Sequence, residues 1–206
     1  MAPVAVEATP IPLGKRLLDI GLSAAGLLVS APAWLLIALA IKAGDGGPVL
    51  YRQRRVGAGR RVFGILKFRS MRPDAERLSG PVLATERDPR VTPVGRLLRA
   101  TALDELPQLV NILRGDLSFV GPRPERPEFV AEFARAVPRY AARLAVPPGL
   151  TGMAQLFARY DSSPRQKLRL DLLYIQRRSF WLDLRLIALS FWVTFRGRWE
   201  SRSRKF

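Results

Sequence analysis

The chain has 206 residues, room for one domain of moderate size and an appendage. Its 34 Lys and Arg against 17 Asp and Glu give a formal charge of +17, which calls for an anionic partner: nucleic acid, an anionic membrane surface or a polyphosphate. There is no Cys and no His, so disulfides, thiolate chemistry, Cys- or His-held metals and the usual imidazole base are excluded; a metal here is a hard cation held by oxygen, magnesium foremost, and any catalysis falls to carboxylates, Lys and Arg.

Residues 1–12 carry Pro3, Pro10 and Pro12 among small side chains and read as a flexible leader without the features of a secretory signal. From Ile20 to Ile41 there are 22 residues without a charge, roughly 33 Å as a helix and enough to cross a bilayer core. Pro32, shortly after Ser30, removes a backbone hydrogen bond in mid-segment and bends the helix. Both flanks are basic, with Lys15 and Arg16 before and Lys42, Arg52, Arg54 and Arg55 after, so the positive-inside bias holds both ends on the cytoplasmic face. A kinked helix that enters and leaves on one side satisfies both features; a single-pass anchor with a tolerated proline is the alternative.

Beyond a turn at residues 44–48, Val49–Arg55 and Val62–Arg69 flank Gly57-Ala58-Gly59 as a short hairpin. Eight basic residues and no acidic one fall between Arg52 and Arg72. Most suit a solvated or headgroup-facing surface, whereas Lys67 and Arg69 would share one strand face. Residues 73–93, with four prolines, read as an irregular loop. Helices are expected over Val94–Ala102, Arg126–Ala136 and Leu168–Arg178, with Pro147-Pro148-Gly149 as a break. In the last element, Phe180, Leu184, Ile187, Phe191 and Phe195 recur at helical spacing beside Trp181, Ala188 and Trp192, followed by Arg196, Arg198, Arg202, Arg204 and Lys205. Such a helix suits a membrane interface, or packs its stripe on the core.

Adjacent carboxylates, Asp104 and Glu105, interrupt this basic chain just before Pro107. A turn at Gly115-Asp116, an apolar run Leu117–Val120 and the stiff corner Gly121-Pro122-Arg123-Pro124 follow. Carboxylates beside a fixed arginine suit phosphate chemistry; by spacing alone, such a pair is more often a solvated helix face.

Six segments together resemble the bacterial sugar transferases, the monotopic polyprenyl-phosphate phosphoglycosyl transferase family. They are Lys15-Arg16-Leu17-Leu18-Asp19, Lys67-Phe68-Arg69-Ser70-Met71, Leu103-Asp104-Glu105-Leu106-Pro107-Gln108-Leu109, Gly121-Pro122-Arg123-Pro124, Pro148-Gly149-Leu150-Thr151-Gly152 and Trp181-Leu182-Asp183-Leu184. The resemblance implies an enzyme of the bacterial inner membrane that moves a sugar 1-phosphate from a UDP-sugar to polyprenyl (undecaprenyl) phosphate, releases UMP, and opens assembly of an exopolysaccharide, O-antigen or glycoprotein glycan. It implies magnesium, a covalent phosphosugar on Asp104, and a re-entrant helix broken at a Ser-Pro pair. Here Ala31 stands between Ser30 and Pro32, and Met153 stands where the family often has Trp.

The fold expected is mainly α with a small β-hairpin: a leader (1–12), a re-entrant membrane helix (13–43) kinked at Ser30 and Pro32, and a cytoplasmic catalytic domain (44–206) ending in an interfacial helix (179–195). Asp104 is the expected nucleophile, Glu105 its neighbour in metal or proton handling, and the two together the magnesium ligands. Lys67, Arg69, Arg99 and Arg123 are the expected phosphate ligands, Arg123 stiffened by Pro122 and Pro124. The partners are a UDP-sugar, polyprenyl phosphate and the bilayer, without nucleic acid and with room for a homo-oligomer. The acceptor phosphate is ionised at neutral pH, so a missing histidine is tolerable. The rival classes are a membrane-anchored basic protein that binds nucleic acid or an anionic polymer, for which no nucleic-acid-binding motif speaks, and a peripheral structural protein.

Overall fold

The dominant element is α1, Leu13–Asp45, closed by Gly46, whose left-handed backbone (φ 67°) lets its N–H bond the Lys42 carbonyl. It belongs to a computed structural model that describes residues 6–77, 80, 82, 85, 88–159 and 162–196. At 33 residues the helix is about 50 Å long. It is helical throughout, Pro32 included, so the break expected at Ser30–Pro32 is not a break in secondary structure. Ser30 instead accepts a hydrogen bond from the Trp34 indole at 3.1 Å, despite the Ala31 insertion.

One face of α1 is docked along its whole length. The buried residues Asp19, Ser23, Ile37 and Ile41 lie on one stripe with half-buried Leu27 and Trp34, as helical spacing requires. The opposite face leaves Leu17, Leu28, Val29, Leu35, Leu36 and Leu39 exposed. Lys15, read from sequence as a membrane flank, is also a half-buried anchor: its ammonium donates to Asp183 at 2.7 Å and to the Val120 carbonyl at 3.0 Å. Arg16 likewise donates to the carbonyls of Ile112 and Leu113.

The rest of the chain wraps this helix. Strands β1 (Leu50–Val56) and β2 (Val62–Phe68) form the expected antiparallel hairpin, Leu50 opposite Phe68. Then come α2 (Pro93–Ala100), α3 (Gln108–Arg114), β3 (Ser118–Val120), α4 (Pro127–Ala136), β4 (Gly149–Thr151), α5 (Met153–Phe157), α6 (Pro164–Arg177) and α7 (Phe180–Phe195). The architecture is mostly helical with two small sheets. α6 begins four residues before the expected Leu168 because Ser163 and Gln166 form a reciprocal capping box around Pro164. The pairing of β3 with β4, parallel with Ser118 opposite Gly149, was not expected. It needs glycine: a Cβ on Gly149 would lie 2.0 Å from the Gly121 nitrogen.

Two apolar clusters fix α1 to the domain. Phe63, Ile65, Leu109, Ile112, Leu117, Leu156, Tyr174, Leu186 and Val193 form the larger, with Leu18 and Leu27 of α1 against it. Ile37 and Ile41 join Phe68 and Leu98 in the smaller, where Trp34 meets Phe68 edge-on at 5.0 Å. In α7 the buried face is Asp183, Leu186, Ile187 and Val193; of the aromatic stripe, Trp181, Phe191, Trp192 and Phe195 are exposed and only Ile187 is core. Within the leader, the Thr9 N–H bonds the Ala145 carbonyl at 2.7 Å. Residues 1–5 and the basic tail Arg198, Arg202, Arg204 and Lys205 lie outside the described residues.

Candidate active site

The dyad sits on a tight corner between two helices. α2 is capped by Thr92, whose hydroxyl accepts from the Gly95 N–H at 2.9 Å, and runs so close to the preceding chain that a Cβ on Gly95 would lie 1.9 Å from the Ser70 carbonyl oxygen. Helix formation stops at Ala100, and Ala102 takes a left-handed conformation (φ 55°), which costs a non-glycine residue about 1–2 kcal/mol. That strained residue launches the 3-10 turn Leu103–Glu105, and Pro107 then opens α3. Asp104 and Glu105 are 5% and 7% exposed, which removes the solvated-face reading.

Two cations meet these carboxylates. Lys67 of β2 donates to Glu105 Oε1 at 2.8 Å and stands 3.8 Å from Asp104 Oδ2. Arg123 lies 3.5 Å from Glu105 Oε1. Burial would raise the Glu105 pKa, but Lys67 and Arg123 outweigh it and hold the carboxyl down at about 2. Buried braces aim both cations. Asn111 of α3 accepts from the Leu66 N–H and donates to the Gly64 carbonyl, both at 2.9 Å, fastening β2 over the dyad. Arg143, paired with Asp171 at 2.8 Å, donates to the Arg123 carbonyl at 2.9 Å. The cleft is lined by Arg55, Ile65, Lys67, Glu105, Gln108, Arg123, Pro124 and Gly149.

The family model for bacterial sugar transferase matches residues 11–197, and so takes in α1, the dyad and the cleft. The chain belongs to the bacterial sugar transferase family. It is 45% identical over 184 residues to the UDP-glucose:undecaprenyl-phosphate glucose-1-phosphate transferase of Caulobacter vibrioides, covering 86% of this chain and 68% of that protein. It is 44% identical to an undecaprenyl-phosphate glucose phosphotransferase of Komagataeibacter xylinus, covering 86% of this chain and 35% of the relative. A UDP-N-acetylgalactosamine-undecaprenyl-phosphate N-acetylgalactosaminephosphotransferase of Aeromonas hydrophila is 42% identical, with 84% of this chain and 41% of the relative covered. The chain thus spans less than half the length of the latter two.

In this chain the residues singled out from sequence divide into two groups. Asp104, Glu105, Lys67, Arg123 and Pro124 come together around the cleft. Pro122 supports the corner by accepting from the Gly149 N–H at 2.9 Å. Arg69, expected on the Lys67 face, lies one residue past the end of β2; it forms a double contact with Asp45 and donates to the Pro48 carbonyl at 2.6 Å, pinning the end of α1. Arg99 donates to the Ser70 hydroxyl at 3.0 Å. Ser30 and Pro32 lie in α1. Sequence reasoning missed Gln108, Asn111, Arg55 and the Arg143–Asp171 pair. Gln108 and Asn111 follow the dyad at one-turn spacing on α3, a signal that was available. Among the described residues no three acidic side chains gather as a metal cage. The Asp104–Glu105 pair still fits magnesium, which commonly takes one or two carboxylates and completes its shell with substrate phosphate and water.

The low Glu105 pKa has a pH signature. A carboxyl depressed from 4.5 to about 2 contributes stability that is complete above 4.5 and fades as pH falls toward 2. Chemical denaturation of Glu105→Gln between those limits should show a flatter acid limb than the parent chain. Identical limbs would show that the lysine and arginine do not hold Glu105 ionised.

Proposed function

We propose that this chain transfers a sugar 1-phosphate from a UDP-sugar to polyprenyl phosphate through a covalent intermediate on Asp104. The observation that carries the reading is a buried Asp104–Glu105 pair under Lys67 and Arg123, in a chain of a family whose relatives are named for this transfer. Four buried or half-buried charges face one cleft, and a diphosphate supplies charge complementary to the two cations among them, Lys67 and Arg123.

The Asp104 carboxylate attacks the β-phosphorus, the bond from that phosphorus to the bridging oxygen breaks, and UMP departs with the electron pair. An oxygen of polyprenyl phosphate then attacks the same phosphorus, the aspartyl–phosphorus bond breaks, and the carboxylate is restored. Neither displacement needs a proton removed. Glu105, ionised far below neutral pH, therefore serves as a fixed negative charge rather than a proton carrier. Asp104 and Glu105 are the residues that would hold magnesium, which when bound supplies charge neutralisation to the diphosphate. Lys67 and Arg123 orient the phosphoryl oxygens and stabilise the charge that develops on them.

The membrane disposition follows from α1. Its first turn is tied to the domain through Lys15 and Asp183 and its last through Asp45 and Arg69, so both ends belong on one side of the bilayer. With the apolar face of α1 and the aromatic face of α7 turned outward, this supports a re-entrant helix beneath a cytoplasmic domain.

Two measurements test these readings. With a UDP-sugar labelled in the sugar, magnesium and no acceptor, label should attach at Asp104 with release of UMP, and polyprenyl phosphate should chase it into lipid; Asp104→Asn should bind donor and form no adduct. UMP that appears only with acceptor, and no adduct on rapid quenching, would mean direct transfer. Separate cysteines at Ala8 and Gly44 should be labelled from the same side of intact cells; opposite sides would mean a single-pass anchor.

A further inference from the structure

Arg55 is the cleft residue the reaction scheme leaves without a role. It lies near the end of β1, and its side chain is only 16% exposed. It donates to the Pro124 carbonyl at 2.9 Å and to the Gln53 side chain, while its buried Nε–H has no hydrogen-bond partner. Among the described residues the one carboxylate within ion-pair reach is Glu125, a distant 3.8 Å away. Burial lowers its pKa to about 10, Glu125 opposes the shift, and Arg123 and Arg126 add to it by repulsion. The guanidinium stays charged at neutral pH and under-compensated. A folded chain places such a group beside a second arginine at a cost, which an anion bound between them offsets.

The order of cations along the cleft gives that anion a direction. Lys67 contacts both dyad carboxylates, Arg123 reaches Glu105, and Arg55 forms an ion pair with neither and stands beside Pro124. A diphosphate whose β-phosphorus faces Asp104 extends its α-phosphate away from the dyad, along that series.

We propose that Arg55 binds the α-phosphate of the nucleotide and stabilises the charge that gathers on it as UMP leaves. The guanidinium is pre-oriented by Pro124 and Gln53, and each of its terminal nitrogens keeps a second N–H for a phosphate oxygen. The assignment rests on the sugar-phosphate transfer proposed above and adds to it the binding group on the leaving-group side.

Calorimetric binding of UMP and of uridine to the full chain in detergent, with thermal melting as control, tests the assignment. Arg55→Met should weaken UMP binding roughly ten- to a hundredfold, the range for losing a charge-assisted hydrogen bond, and leave uridine binding unchanged. Arg55→Lys, which keeps the charge and is the milder change if the methionine variant does not fold, should fall between the two for UMP alone. Unchanged UMP binding in either variant, or equal losses for UMP and uridine, would overturn the assignment and leave Arg55 as a brace for Pro124. Absence of UMP binding to the parent chain would overturn it together with the reaction proposed above, whereas selective loss in the variants alongside failure to trap an aspartyl adduct would leave Arg55 standing and remove only the covalent step.

Discussion

The contact on which the rest of the structure depends is the grip of α1 on β3. Buried Asp19 accepts from the Ser118 hydroxyl at 3.1 Å and the Phe119 N–H at 3.0 Å, and Lys15 donates to the Val120 carbonyl. The residue after Val120 begins the Gly121-Pro122-Arg123-Pro124 corner, so the apolar helix and the cleft-lining arginine hang from one three-residue strand. Arg16 makes the second grip, on the C-terminal carbonyls of α3, whose other end carries the dyad. An arginine there also complements the negative end of the helix. Both halves of the cleft are therefore referenced to the helix whose far side carries exposed apolar residues. In the transfer proposed above, a lipid-borne acceptor and a soluble donor must meet at a fixed depth, and this arrangement would supply that depth mechanically.

The cleft itself is an exercise in paired costs. Burying Asp104 and Glu105 is unfavourable, and Lys67 and Arg123 offset it. Holding Arg123 in place requires the Arg143–Asp171 pair, nearly fully buried on both sides, because one backbone carbonyl cannot be fixed by a flexible side chain alone. A buried ion pair of this kind adds little net stability against an apolar pair of the same volume, so its placement points to positioning rather than to fold strength. The left-handed Ala102 belongs to the same pattern: local strain is accepted where the chain must turn sharply enough to set two carboxylates side by side under a lysine.

Much of this was legible in the sequence, and the parts that were not share a cause. Helical spacing gave α7 at Phe180–Phe195, and proline and glycine punctuation gave the hairpin and α4 closely. The dyad and Arg123 stood out by chemistry and by motif. Strand alternation placed Lys67 and Arg69 on one face, but it says nothing of what lies opposite, and one residue past the end of β2 was enough to send Arg69 to Asp45 instead. Lys15 and Arg16 read from sequence only as basic flanks, because composition counts charges without seeing the partners that also tie them to the domain. β3 and β4 are too short for any periodicity, and their pairing is written only in the glycines that allow two backbones to touch. Arg55 was hidden in a run of arginines that differ only in burial.

The account turns on two successive displacements at one phosphorus, and stereochemistry reports that number directly. A UDP-sugar made chiral at the β-phosphorus by sulfur substitution, turned over with polyprenyl phosphate, yields a lipid diphosphate sugar whose configuration can be assigned. Attack by Asp104 followed by attack by the acceptor inverts twice, and the account predicts net retention. Net inversion would mean a single direct transfer, and would contradict the placement of a nucleophile at Asp104.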